Sequence, residues 1–417
     1  MAKSSSPFFT HTLPCGLRIV CAAGQTDACY IGVAVDAGTR HEMPRESGMA
    51  HLVEHLSFKG TSRRTARQIM STMEGVGGEL NAFTGKEETV YYCTCLAGHV
   101  RRAVDLLLDI TLCSVFPEDE MEKEVEVVVD EIESYRDQPS DLIYDEFESL
   151  MFPCHPLGRN ILGDAESLRS YRPADVLRFT NRLYHPERMV LYVLGNVDPG
   201  LVVREAEKSL ARGDWHRRTR GLTLPHAAMD DAGCGNRHVV RQMQTHQAHV
   251  VVGARSFSAT DPRHIRLFLL NNMLGGPAMS CRLNLALRER AGLVYTVESS
   301  NAAYTDAGLW SVYYGCDAKD RARCRRLVAR ELDKLVQHPL SQRTLDAARR
   351  QLKGQIGLSY DNFENVAIGM AKRFLHYGTT LSREQLFAQL DAITPDELLQ
   401  TAQCVFSPDR LLTLEYV

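Results

Sequence analysis

The spacing of apolar residues in the first half of the chain predicts a mixed α+β unit. Strand-like apolar runs are present at 13–24, 29–35, 89–96 and 189–195. Helical periodicity is present at 100–113, 117–138 and 164–180. Pro117 and the three acidic residues after it are typical of a helix start. One complete α+β unit therefore ends before about residue 200.

The second half of the chain repeats this order. Strand-like runs at 248–254 and 308–315 are accompanied by helical ranges at 318–336 and 341–357. Residues 221–236 show no clear periodicity, which predicts a linker. We therefore predict two homologous α+β domains, at 1–220 and 237–417, joined by that linker.

A short amphipathic helix near residue 50 carries the candidate chemistry. Its buried side is predicted to comprise Met49, Leu52, Val53 and Leu56. His51 and His55 are one turn apart on the opposite side, so both imidazoles can reach one ion, and Glu54 lies beside them. Ser47 is a candidate N-cap. The pattern favours a zinc hydrolase over surface histidines only if a third ligand exists, since catalytic zinc usually has three protein ligands.

Composition narrows the choice of partners. The length of 417 residues predicts two domains. The contents of 44% hydrophobic and 24% charged residues are those of a soluble globular protein. A net charge of -4 gives no electrostatic case for nucleic acid or a membrane as partner. The first 14 residues lack the apolar core of a signal peptide, which predicts a cytoplasmic protein, or a periplasmic one if a leader was removed. Twelve scattered cysteines are interpreted as reduced thiols.

The acidic helix at 117–138 offers candidates for the third ligand. Its buried stripe is predicted to comprise Met121, Val125, Val128, Ile132 and Tyr135. Glu124 and Glu131 lie beside that stripe, one heptad apart and on nearly the same side. Two carboxylates at the margin of a core suggest a cationic partner, although a solvated helix face is an equally open reading for Glu131.

These residues resemble the pitrilysin or insulinase family of zinc metallopeptidases. The family motif His-x-x-Glu-His is followed by a ligand glutamate at the distance that separates Glu131 from His55, which is 76 residues. The similarity extends through 77–84, 88–92, 155–158 and 161–163, and a family glutamate matches Glu124. The resemblance implies the two-domain bacterial type similar to mitochondrial processing peptidase subunits, with two homologous domains, each a mostly antiparallel β-sheet covered by α-helices.

A second motif at 287–295 belongs to the other half of the chain. By itself it reads as a helix end with Gly292 as its C-cap. The resemblance implies that Arg288 and Tyr295 bind substrate from the non-zinc domain. Residues 80–84, which include Asn81 and Ala82, read as an exposed strand able to pair with an extended peptide.

The resemblance also implies a mechanism. His51, His55 and Glu131 would hold one Zn²⁺ per chain, with Glu54 as general base on zinc-bound water and Glu124 supporting the site from behind a ligand. The expected activity is that of a zinc endopeptidase that hydrolyses peptides or unfolded polypeptide segments. The family's closed chamber needs four domains, which predicts a homodimer in which Arg288 and Tyr295 act in trans.

Two alternatives belong to other classes. The first is a catalytically silent core or helper subunit of a processing-peptidase-like complex, because relatives of this fold serve in that way. The second is a lyase that uses His-x-x-Glu-His with a cysteine ligand, and the distal Glu131 and the duplicated domain argue against it. A nucleotide site at 75–79 is weaker still, since no complete glycine motif follows a strand there.

Overall fold

The computed structural model describes residues 8–24, 26–213, 215, 237–243 and 245–417. Its strands are β1 (Phe8–Thr12), β2 (Arg18–Ala23), β3 (Ala28–Val35), β4 (Glu79–Thr84), β5 (Thr89–Leu96), β6 (Met189–Gly195), β7 (Arg237–Arg241), β8 (Ala248–Ser256), β9 (Val294–Ala303), β10 (Gly308–Cys316) and β11 (Leu412–Tyr416). Its α-helices up to residue 212 are α1 (Met49–Leu56), α2 (Ala66–Glu74), α3 (Val100–Leu112), α4 (Glu118–Arg136), α5 (Pro139–Met151), α6 (Ala165–Ser170), α7 (Pro173–Leu183) and α8 (Pro199–Arg212). The later ones are α9 (His264–Gly275), α10 (Arg321–Gln337), α11 (Gln342–Ser359), α12 (Phe363–Tyr377), α13 (Arg383–Ala392) and α14 (Pro395–Phe406).

Each of two compact units contains one mostly antiparallel sheet. The first sheet has the strand order β1-β2-β6-β3-β5-β4, in which only β2 and β6 run parallel. The second sheet has the order β7-β11-β8-β10-β9, in which only β7 and β11 run parallel. The predicted fold class, two α+β domains with helix-covered antiparallel sheets, is confirmed.

The units differ from the two halves of the sequence, because each receives a helix from the other half. The first unit comprises Met1–Glu133, Arg159–Ala227 and Ser359–Ser382, and the second comprises Ser134–Gly158, Ala228–Leu358 and Arg383–Val417. Helix α12 therefore belongs with the first sheet and α5 with the second. The predicted boundaries at 1–220 and 237–417 do not include this exchange, and the predicted linker at 221–236 lies outside the described residues.

Apolar burial explains why α12 belongs to the first unit. Five of its side chains, Ala367, Met370, Ala371, Phe374 and Leu375, pack against a sheet face formed by Val20, Ala34, Val90, Val190, Tyr192 and Leu194. In the second unit, Ile143, Phe147 and Met151 of α5 pack against Val251, Leu412 and Leu414. Each helix covers apolar sheet surface that would otherwise be exposed to water.

Three local predictions need correction. The run at 13–24 begins with a tight turn, in which Gly16 has φ +91°, and only its later part is β2. The helix at 164–180 is broken after Ser170, because Pro173 has no N–H with which to continue it and instead starts α7. The N-cap of α1 is Gly48 rather than Ser47. Because glycine has no side chain, the N-cap residue itself donates or accepts no side-chain hydrogen bond.

A buried ion cluster fastens α12 to the β4–β5 hairpin. Glu88 accepts hydrogen bonds from Nε2 of His376 at 2.8 Å and from Nζ of Lys372 at 2.6 Å. Burial alone would raise the pKa of Glu88, but these two cations lower it below its ordinary value. Burial would likewise lower the pKa of His376, but Glu88 raises it. The cluster is therefore most stable when both groups are charged.

This cluster predicts a pH window for stability. The stability that His376 contributes is fully present below its unfolded pKa of 6.5 and is lost as the pH rises through its higher folded pKa. The stability that Glu88 contributes is fully present above its unfolded pKa of 4.5 and is lost as the pH falls through its lower folded pKa. We expect His376→Gln, which keeps an N–H donor without the charge, to lower the free energy of unfolding by about 1–3 kcal/mol near pH 5.5. The loss should shrink by pH 8. Thermal melts across this range test it, with His11→Gln on β1 as control, and a pH-independent difference would contradict the assignment.

Candidate metal centre

Helix α1 presents both predicted histidines from one side. Its apolar residues Met49, Ala50, Leu52, Val53 and Leu56 are fully buried, so the helix is held by its packed face. The rings of His51 and His55 meet edge to face, with their centroids 4.7 Å apart. His51 is only 8% exposed, and His55 is half-buried. Both imidazoles can therefore serve one ion.

Glu131 of α4 completes the cluster. Its Oε2 lies 3.8 Å from Nε2 of His51 and 3.8 Å from Nε2 of His55. The potential ligand atoms of the three residues all lie within 4.8 Å of one another. No other group of three His, Cys, Asp or Glu residues with this spacing was found among the residues that the structure describes. The structure thus brings together the three residues predicted as metal ligands.

The donor set fits a zinc ion. Two imidazoles and a carboxylate are the ligand types of catalytic zinc sites. The two distances of 3.8 Å from Glu131 to the histidines are longer than a hydrogen bond. The three side chains therefore converge without hydrogen bonds between these atoms. Burial and the neighbouring His55 lower the pKa of His51 to about 3, which keeps its imidazole neutral and able to bind a metal.

Glu124 lies behind His55 and does not belong to the cluster itself. Its Oε2 is 3.2 Å from Nδ1 of His55, and its Oε1 is 2.5 Å from Nζ of Lys59. A proton on Nδ1 that is donated to Glu124 leaves the Nε2 lone pair directed at Glu131. Glu124 thus contacts both His55 and the cation of Lys59, and its supporting role stays a prediction.

Glu54 lies next to the histidines with one oxygen already bonded. Thr84, at the end of β4, donates its hydroxyl to Oε2 of Glu54 at 2.6 Å. Burial raises the pKa of Glu54, and the hydrogen bond from Thr84 acts in the opposite direction. The sequence placed Thr84 in the predicted peptide-pairing strand at 80–84 but gave its hydroxyl no role.

Asn81 and Ala82 lie on β4, which is an edge strand of the first sheet. The backbone N–H of Ala82 donates to Oδ1 of Asn81 at 2.8 Å, and the side chain of Asn81 is exposed. β4 ends at Thr84, which bonds to Glu54 on the helix of the two histidines. The exposed strand that was predicted near the metal ligands is thus present. Its role in binding substrate stays a prediction.

Arg288 and Tyr295 belong to the second unit, whereas the metal cluster belongs to the first. Arg288 lies in the helical turn Asn284–Glu289, and Gly292, with φ +60°, ends that turn with its N–H bonded to the carbonyl of Arg288. Tyr295 is the second residue of β9, and 81% of its surface is exposed. Both side chains are therefore accessible. That they bind substrate stays a prediction.

Comparison with known proteins decides the family. Residues 18–165 match the model described as insulinase (peptidase family M16), and residues 170–352 match the model of the peptidase M16 inactive domain. An uncharacterized zinc protease of Bacillus subtilis is 32% identical over 405 residues, which cover 97% of each chain. The chain belongs to peptidase family M16. The expectation of a metallopeptidase is thereby confirmed at the level of the family.

Further M16 relatives and solved structures agree. An uncharacterized zinc protease of Mycobacterium bovis is 34% identical, covering 95% of this chain and 90% of the relative. A protease from Helicobacter pylori has the same fold, with a TM-score of 0.90 at 20% identity over 98% of this chain and 99% of that one. The match of the second half to an inactive-domain model fits the location of His51, His55 and Glu131 in the first unit.

No helix in the described parts of this M16 chain is both long and apolar enough to cross a lipid bilayer.

The different positions of Glu131 and Glu124 predict different effects on zinc binding. We expect Glu131→Gln to lower zinc affinity more than Glu124→Gln, which should lower it by about 10–100-fold. The reason is that Glu131 directs an oxygen at both Nε2 atoms, while Glu124 acts through His55. Competition with a chromophoric chelator measures the affinities. Glu133→Gln, an exposed change on the same helix, is the control, and equal losses for Glu131→Gln and Glu133→Gln would refute the ligand assignment.

Proposed function

We propose that this M16 chain is a zinc-dependent endopeptidase that hydrolyses peptides or unfolded polypeptide segments, with one zinc ion per chain. The observation that carries the proposal is the convergence of His51, His55 and Glu131, with the carboxylate of Glu54 on the same helix. The relatives named as zinc proteases support the choice of metal.

The proposed chemistry divides between the ion and the protein. A bound zinc ion would supply Lewis acidity, which polarises the scissile carbonyl and makes water a stronger nucleophile. Glu54 accepts the proton of the attacking water on its carboxylate and donates it to the amine that leaves. Thr84 holds Oε2 of Glu54 and so fixes the rotamer of that carboxylate. Glu124 holds the tautomer of His55.

The edge strand β4 supports a peptide as substrate. An extended peptide can pair with an edge strand through backbone hydrogen bonds, which give affinity without a requirement for particular side chains. Asn81 and Ala82 occupy the middle of β4, and Thr84 at its end contacts Glu54. A peptide paired with β4 would therefore run beside the proposed general base.

The dimeric chamber is part of the same proposal. Arg288 and Tyr295 are exposed on the second unit, as residues that bind a substrate or a partner must be. We propose that two copies of the chain form a homodimer, that Arg288 of one protomer binds a substrate carbonyl, and that Tyr295 stabilises the oxyanion in the site of its partner. The described cysteines form no disulfide with one another, which supports a reducing compartment such as the cytoplasm.

A silent helper subunit is the second candidate that the fold allows. Loss of a ligand or of the general base would favour it. His51, His55 and Glu131 converge, and Glu54 is present on the helix of the two histidines, which favours the enzyme.

Replacement of Glu54 tests its proposed role. We expect Glu54→Gln to reduce kcat by about 10²–10⁴-fold because the amide cannot accept the proton. Zinc content should stay that of the wild type, since Glu54 is not a ligand. Cleavage of a library of short unstructured peptides, with metal analysis of the same samples, measures both. Glu79→Gln, at the exposed start of β4, is the control, and a fully active Glu54→Gln enzyme would eliminate the proposed mechanism.

Mixed dimers test the action in trans. We expect Glu54→Gln and Arg288→Ala/Tyr295→Phe protomers, each inactive alone, to regain activity after subunit exchange, because one site of the mixed dimer would combine intact residues from both chains. Native mass spectrometry must first show that mixed dimers form. If they form and no peptide is cleaved, Arg288 and Tyr295 do not act in trans.

A further inference from the structure

The segment from Gly38 to Glu42, which we name the 38–42 segment, contacts two parts of the first unit that carry site residues, the start of α1 and the β4–β5 hairpin. It connects β3 to the loop before α1 and contains the single helical turn Thr39–His41. Arg40 and Glu42, two positions apart, are only 8% and 4% exposed. Two buried ionisable side chains in so short a segment require partners, because a buried polar group without a hydrogen bond is costly.

Glu42 provides the N-terminal cap that α1 lacks within its own sequence. Its Oε1 accepts the N–H of Ala50 at 2.9 Å, and its Oε2 accepts the N–H of Gly48 at 3.4 Å. These N–H groups belong to the first turn, where no intrahelical acceptor exists. The carboxylate also lies at the positive end of the helix dipole. A residue seven positions before the helix therefore satisfies its start.

The backbone around this cap leaves little freedom. Gly48 has φ +78°, a conformation that favours glycine. A Cβ at Gly48 would lie 2.5 Å from the carbonyl oxygen of Leu162, and one at Gly163 would lie 2.5 Å from Cα of Gly48. Arg159 donates to the backbone carbonyl of Glu42. The start of α1 is thus enclosed, and Glu42 is bonded directly to the helix that carries His51.

Arg40 holds the β4–β5 hairpin. Its guanidinium is 2.6 Å from Oε1 of Glu87, and its backbone N–H donates to the carbonyl of Lys86 at 2.8 Å. The N–H of Thr39 donates to the carbonyl of Gly85 at 3.3 Å. Residues 85–88 connect β4 to β5, so these bonds fix the loop that directly follows Thr84.

We infer that Arg40 and Glu42 are positioning residues that align the metal helix with the β4–β5 hairpin, so that Glu54 meets Thr84 while His51 and His55 face Glu131. Glu42 acts on α1, and Arg40 acts on the hairpin. The inference rests on the proposed zinc peptidase function for its significance, but its two contacts can be tested separately from turnover.

The Glu42 contact is tested with Glu42→Gln. Burial raises the pKa of Glu42 to about 8, so a neutral side chain is tolerated there and the variant chiefly removes an acceptor facing Gly48. We expect zinc affinity, measured by chelator competition, to fall by about 10-fold, with saturating zinc restoring peptide cleavage. Hydrogen exchange should quicken in α1 and stay unchanged in the hairpin 79–89. If Glu42→Gln does not fold, Glu42→Asp replaces it, because its shorter side chain cannot reach Ala50.

The Arg40 contact is tested with the pair Arg40→Gln/Glu87→Gln, which removes both charges and leaves no unpaired carboxylate. We expect exchange in the hairpin 79–89 to quicken by about fivefold or more, while α1 is unchanged. Zinc affinity should stay within about twofold of the wild type, and kcat/KM for a peptide should fall severalfold. Glu415→Gln, at a carboxylate of the second unit that is equally buried, controls for general destabilisation.

The two variants together decide the inference. It is overturned if Glu42→Gln leaves zinc affinity and exchange in α1 unchanged, if the Arg40/Glu87 pair leaves the hairpin unchanged, or if Glu415→Gln produces the same pattern. A wild-type protein that binds zinc and cleaves no peptide would instead overturn the proposed function, while the affinity and exchange measurements would still test the alignment.

Discussion

Burial of the apolar side of α1 is the interaction on which the metal centre depends. The helix has eight residues, and an isolated helix of that length does not persist in water. Burial contributes roughly 1.5–3 kcal/mol for each large side chain such as Leu52 or Leu56. Because these residues fix the rotation of the helix, His51 and His55 can point in one direction only.

The two carboxylates of α4 show how environment separates residues of the same type. Glu124 and Glu131 lie one heptad apart on nearly the same side of one helix. Glu124 is 8% exposed and is neutralised by Lys59, whereas the side chain of Glu131 is 45% exposed. The buried one contacts Nδ1 of His55, and the open one lies near Nε2 of both histidines. Burial and a single lysine thus place two chemically equal groups in different environments.

Local spacing made part of this site predictable. His51, Glu54 and His55 follow from helical geometry alone, and the strands β5 and β6 follow from apolar runs. Glu131 could be selected over Glu124 only through family resemblance, because the helix period places both on the same side. Thr84 and Glu42 could not be found, since their contacts join segments that are distant along the chain or lie outside regular structure. Neither α5 nor α12 was predicted, and even a predicted apolar helix face does not specify which sheet it will cover.

The position of α12 has a consequence for the order in which the protein matures. One face of the first sheet, in the unit that holds the metal ligands, is covered by a helix that begins at Phe363. During synthesis, the ribosome adds that helix only after most of the chain has emerged. The first unit therefore cannot complete its core as an early, independent domain. The sheet that carries Thr84 therefore stays uncovered on that face while the nascent chain, itself an unfolded polypeptide, is still being made.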